Sequence, residues 1–138
     1  MERHIRSGRN QTRIGFSLIE LMIVMAIMLT LLSVAIPFYQ KSIQRAKETV
    51  LHSNLTAIRS MIDEYAYDKQ KAPQSLRDLV TDGYLREVPK DPITGSSETW
   101  KIIQEDAGQA VSTAEPGIYD IRSGSSAKSL EGTPYSEW

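Results

Sequence analysis

An α+β protein is what this sequence predicts: a long N-terminal helix, transmembrane in its first half, packed under a small C-terminal head with a short antiparallel sheet. Three observations predict it. The 24 residues from Phe16 to Tyr39 form an apolar block interrupted only by Ser17, Glu20, Thr30, Ser33 and Pro37. The residues after it change to a striped pattern, with Leu51, Leu55, Ile58, Ile62 and Tyr65 spaced 4, 3, 4, 3, the repeat of one helix face. Beyond Lys71 the glycines and prolines return and break the chain into short elements.

Taken in order, residues 1–15 are a polar leader holding Arg3, Arg6, Arg9 and Arg13 against Glu2, a net +3 within a chain whose formal charge is −1. Positive charge before an apolar span keeps that end in the cytoplasm, so everything after Tyr39 should face the periplasm or the outside. Residues 16–39 reach roughly 36 Å as a helix, enough to cross a hydrocarbon core of about 30 Å. A carboxylate such as Glu20 is costly in that setting unless it lies near the interface or finds a partner. Ser33-Val34-Ala35 offers an ordinary secretory cleavage site, with Ile36 as the new terminus. Against that reading stand Glu20 near the start of the block and the helical pattern continuing past Pro37.

Residues 40–71 continue the helix as an amphipathic rod, with Arg45, Lys47, Glu48, Arg59, Asp63 and Glu64 on the face opposite the stripe. Pro37 should bend or loosen it. Residues 72–138 form the head. Ser75 and Asp78 make a capping-box variant before a short helix through Leu76, Leu79 and Val80, closed by Asp82-Gly83. Pro89-Lys90-Asp91-Pro92 with Gly95 reads as a rigid loop. Trp100 to Gln104 alternates as a strand and Gly117 to Arg122 reads as a second, with a turn at Asp106-Ala107-Gly108. Two or three short antiparallel strands should therefore lie on the helix stripe. A Ser- and Gly-rich tail closes on Tyr135 and Trp138.

Gly15, then Phe16-Ser17-Leu18-Ile19-Glu20-Leu21-Met22-Ile23-Val24, with Pro37 further on, resembles the N-terminus of the type IV pilin-like proteins. The resemblance implies cleavage after Gly15 by a prepilin peptidase and N-methylation of the new terminus at Phe16. It also implies assembly through Phe16, Glu20 and Pro37, the Glu20 carboxylate of one subunit facing the Phe16 amine of its neighbour. Within that family Gly83-Tyr84-Leu85, Pro89, Asp91-Pro92, Gly95 and the closing Trp138 are similar to the major pseudopilins of type II secretion systems. The expected function is then a structural subunit of a pseudopilus, assembled into a helical filament for protein secretion across the outer membrane. Expected partners are further copies of the chain, minor pseudopilins, the peptidase, an inner-membrane assembly platform and membrane lipid. The expected location is the inner membrane, single-pass, with the N-terminus cytoplasmic and the C-terminus periplasmic, and then a periplasmic filament. Two alternatives stand beside this: a type IV pilin for adhesion, motility or DNA uptake, and a membrane-anchored periplasmic module that does not assemble.

The same resemblance implies calcium in the C-terminal loop, where the candidate ligands are Ser123, Ser125, Glu131 and Ser136. The sequence departs from the family pattern there. Between Arg122 and Trp138 the only acids are Glu131 and Glu137, whereas calcium takes six to eight oxygens with formal charge among them. No other cofactor is expected. The chain has no cysteine, which excludes disulfides and thiolate metal sites. It has no basic cluster after the leader to suggest nucleic acid, and no phosphate-binding glycine loop. His52 reads as a surface or interface residue, and Ser125-Ser126-Ala127-Lys128 has a nucleophile's spacing without its companion motifs. The expectation is a substrate of enzymes and not an enzyme.

Overall fold

The computed structural model describes residues 15–104 and 116–138. The leader up to residue 14 and the turn expected at Asp106-Ala107-Gly108 lie outside the described residues. The element order is α1 (Leu18–Lys69), α2 (Leu76–Thr81), β1 (Lys101–Gln104), β2 (Ile118–Arg122) and a 3-10 turn at Tyr135–Glu137. This is an α+β chain: a long apolar N-terminal helix and a small C-terminal region with a two-stranded antiparallel sheet. Cα packing divides it between Phe38 and Tyr39.

In the first unit, α1 begins with the Leu21 amide donating to the Ser17 carbonyl at 3.1 Å. Two of its hydroxyls are satisfied locally. The Thr30 hydroxyl donates to the Ala26 carbonyl at 2.8 Å and the Ser33 hydroxyl to the Thr30 carbonyl at 2.7 Å. Back-bonding of this kind lets hydroxyls sit in an apolar environment. The Leu, Ile, Met and Val side chains here are all exposed. With a mean hydropathy of 2.6 over its most apolar 18 residues, α1 is long and apolar enough to cross a membrane.

The second unit holds the core. Leu51, Leu55, Ile58, Ile62 and Tyr65 of α1 are buried against Leu76, Leu79, Trp100, Ile118, Ile121 and Tyr135. Each such side chain contributes about 1.5–3 kcal/mol by leaving water. α1 ends where Gln70 turns left-handed (φ 54°), the conformation that terminates helices, and the Gln70 side-chain Nε2 donates back to the Tyr67 carbonyl at 2.6 Å.

α2 starts from its cap. The Asp78 carboxylate accepts the amides of Ser75 and Gln74, each at 2.9 Å, and the Ser75 hydroxyl at 3.0 Å. Burial alone would raise the Asp78 pKa, but these bonds favour the charged form and hold it below the usual carboxylate range. Gly83 (φ 85°) then reverses the chain, and the Leu85 amide returns to the Leu79 carbonyl at 2.9 Å.

β1 and β2 pair with Ile102 opposite Ile121 and Lys101 opposite Arg122, the register slipping between Ile103 and Gln104. Opposite residues share a face, so Ile102 lies on the inner side. It nevertheless stays 43% exposed, and among the described residues no third strand pairs with β1. β2 is fixed to the head by the Ile118 amide, which donates to the Pro73 carbonyl at 2.7 Å. Gly117 is required there: a Cβ would meet the Ala72 Cβ at 2.6 Å and the carbonyls of Ala72 and Pro73 at 2.8 Å.

Candidate functional site

The N-terminal site is built from the apolar stretch 16–39, which holds Glu20 as its one charged residue. Gly15, Phe16 and Ser17 precede α1, and Phe16 is 80% exposed. Glu20 lies in the first turn of α1, four residues after Phe16. A carboxylate is favoured at that end, where unpaired backbone N–H groups carry a partial positive charge. Glu20 is exposed, and in an apolar setting its carboxylate would need a partner. Pro37 is inside the helix, and its missing N–H leaves the turn before it one bond short.

The C-terminal candidates sit in separate hydrogen-bonding roles. Ser123 is fully buried, its hydroxyl donating to Asp91 Oδ2 at 2.6 Å and accepting the Ser125 amide at 3.2 Å. The Ser125 hydroxyl accepts the Ala127 amide at 3.2 Å. Glu131 is exposed, and Ser136 is half-buried within the 3-10 turn. Among the described residues no three of His, Cys, Asp or Glu gather closely enough to hold a metal ion. This donor set does not fit calcium, which demands charged oxygens converging on one point.

Four residues that hold the tail were missed as such in the sequence. Asp91 is fully buried; its Oδ1 accepts the Ile93 amide at 2.8 Å, and its backbone brackets the loop through Ser96 and Gly95. Glu48 Oε1 accepts the Leu130 amide and the Tyr135 hydroxyl, both at 2.8 Å. Gln44 Nε2 donates to the Tyr135 oxygen at 3.0 Å and the Lys128 carbonyl at 3.2 Å. Arg59 forms an ion pair with Asp120 at 2.6 Å and donates to the carbonyls of Ile121 at 2.8 Å and Trp138 at 3.1 Å. Burial first, and then the bond to Glu48, push the Tyr135 phenol above its ordinary pKa, with Gln44 opposing. Glu48 and Arg59 therefore reach into the head and do not belong to the solvated face expected for them. Only Asp91 carried a signal, since an Asp in a Pro-rich turn tends to accept the amide two residues on. His52 is exposed and stacks on Trp138 with ring centroids 4.2 Å apart.

The prokaryotic N-terminal methylation motif matches residues 11–36. The type II secretion system core protein G of Klebsiella michiganensis is 32% identical over 103 residues, covering 63% of this chain and 72% of that protein. The protein of the same name from Pseudomonas aeruginosa is 33% identical over 94 residues, covering 56% of this chain and 66% of the relative. The competence protein ComGC of Halalkalibacterium halodurans is 31% identical over 71 residues, 51% of this chain and 70% of the relative. No solved structure matches.

Proposed function

We propose, from the premise that this chain belongs to the family of the type II secretion system core protein G, that it is a structural subunit of a pseudopilus, the filament of that secretion machine. The observation that carries the mechanism is Glu20: one carboxylate, one helical turn after Phe16, in an apolar stretch, 16–39, that holds no other charge. A prepilin peptidase removes the leader after Gly15 and methylates the amine of Phe16. The subunit waits in the inner membrane with its N-terminus cytoplasmic and its head periplasmic. The length and hydropathy of α1 support that anchoring, and the arginines of the leader support the orientation.

Assembly then follows from two forces of different kind. Packing of apolar helices against one another supplies adhesion, and it is nearly indifferent to sliding along the axis. The pair between Glu20 and the cationic Phe16 amine of the next subunit supplies register, because an unpaired charge in a low-dielectric core is strongly disfavoured. The contact is heterologous, joining different surfaces of successive copies, so it propagates as an open helix. Minor pseudopilins and an inner-membrane platform complete the machine, and lipid surrounds the waiting subunit. Nucleic acid has no place in this mechanism. The chain is a substrate of the peptidase and does no catalysis itself, a reading supported by relatives named as core components of a secretion system.

Mass spectrometry of the membrane-extracted protein tests the first step, the expected terminus being N-methylated Phe16. Glu20→Ala tests the second. Loss of one partner of a desolvated charge pair should cut filament yield roughly tenfold or more, with the monomer still processed and inserted. Normal yield would remove the register role. Similarity to the competence protein supports one second reading, a filament for DNA uptake. Deleting the gene separates the two, since loss of exported proteins from the medium marks the first and loss of transformation marks the second.

A further inference from the structure

We propose that the C-terminal segment 123–138 is held by a calcium-independent latch, in which the carboxylates of Asp91 and Glu48 do by hydrogen bonding what a cation would do by coordination. The segment carries many small residues and no regular element beyond one 3-10 turn. Something must offset the entropy of ordering it. Three fastenings do so. At its start, Ser123 is locked to Asp91 by a fully buried 2.6 Å bond. In its middle, one oxygen of Glu48 takes both the Leu130 amide and the Tyr135 hydroxyl, while Gln44 takes the Lys128 carbonyl. At its end, Arg59 takes the Trp138 carbonyl and His52 stacks on the Trp138 ring.

The chemistry of these groups argues for latch over metal. Asp91 is a buried carboxylate whose oxygens are both occupied by donors, Ile93 on one and Ser123 on the other. A carboxylate so supplied has its acceptors satisfied without a cation. The Ser123 hydroxyl donates its hydrogen bond to Asp91 and has no exposed surface from which to reach an ion. Glu48 approaches from α1, and its bonds go to an amide and a phenol. The segment is thus tied to α1 at its middle and its end and to the Pro89–Gly95 loop at its start, with the charge carried by the protein.

The test uses the full chain in detergent, so it does not depend on whether the protein assembles. Thermal unfolding and limited proteolysis are compared in excess calcium chloride and in EGTA. A calcium site filled to about a hundred times its dissociation constant would raise the midpoint by roughly 10 °C or more. The latch predicts a change below about 2 °C and the same cleavage pattern in both buffers. Ser123→Ala and Glu48→Gln, each a mild change, should speed cleavage within 123–138 several-fold, and calcium should not reverse it. A calcium-dependent rise in midpoint, calcium protection of the segment, or unchanged cleavage in both variants would each overturn the proposal. If Asp91→Asn does not fold, Ser123→Ala reads the same bond from its other end.

Discussion

Tyr135 gathers more of the head's fastening than any other side chain in the tail. Its ring is buried, packs edge-on to Trp138 at 5.2 Å, and its hydroxyl bridges Glu48 and Gln44. Tyr135→Phe keeps the ring and should cost about 1–2 kcal/mol in urea unfolding, since Glu48 loses a donor. The same residue sets an alkaline limit. A phenol whose folded pKa lies above its unfolded value contributes stability present below about pH 10 and lost as pH rises through the folded pKa. Tyr65 and Tyr84 shift in the same direction, burial being the largest cause for each. Unfolding free energy should therefore hold steady through neutral pH and fall above about pH 10, less steeply in Tyr135→Phe. Gly124 sets a different limit. A methyl there would run into the Thr99 carbonyl, a backbone atom that cannot step aside, so Gly124→Ala should lose about 3 kcal/mol or more. Ser126→Ala, two residues away and exposed, should be neutral in the same assay.

Helix α1 shows what a sequence pattern conveys and where it stops. Its five-residue stripe was legible because 4, 3, 4, 3 spacing admits one helix face and no strand, and all five residues are buried. Ile58→Ala, at the middle of that stripe with no exposed surface, should cost about 3–4 kcal/mol and lower the urea midpoint without changing its slope. The short helix and its cap were legible for a similar reason: Ser75 and Asp78 stand three apart before an apolar run. The first strand was legible from alternation, and the second from its β-branched and aromatic residues after Gly117. Glu48 and Arg59 were not, because long side chains on the flank of a stripe reach solvent or head with equal ease, and periodicity records only where their Cβ atoms start. The Asp91–Ser123 bond spans 32 positions, and no local pattern encodes a contact so distant.

Across the whole chain, two chemistries meet between Phe38 and Tyr39. The first unit exposes nearly all of its Leu, Ile, Met and Val side chains, while the second buries a core of its own. Residues 39–138 expressed alone should be soluble without detergent and unfold in one cooperative transition, as a single small domain does. The intact chain should require detergent. Aggregation of the fragment at micromolar concentration would show that the head depends on the missing residues. The anchor and the head were legible as classes of structure from composition alone. What the exposed helix touches in an assembly was not, since an apolar surface specifies avoidance of water and says little about which neighbour provides it.

The stacking of Trp138 on His52 gives the molecule an optical gauge. An imidazole stacked 4.2 Å from the Trp138 indole is part of the surroundings in which that ring emits. Lifting the tail from the helix would end that contact and change the Trp138 emission, while Trp100, held by its N–H on the Pro89 carbonyl at 2.9 Å, would keep its signal. Undocking of the last sixteen residues should therefore be visible as a change in fluorescence before the core melts, with no label attached.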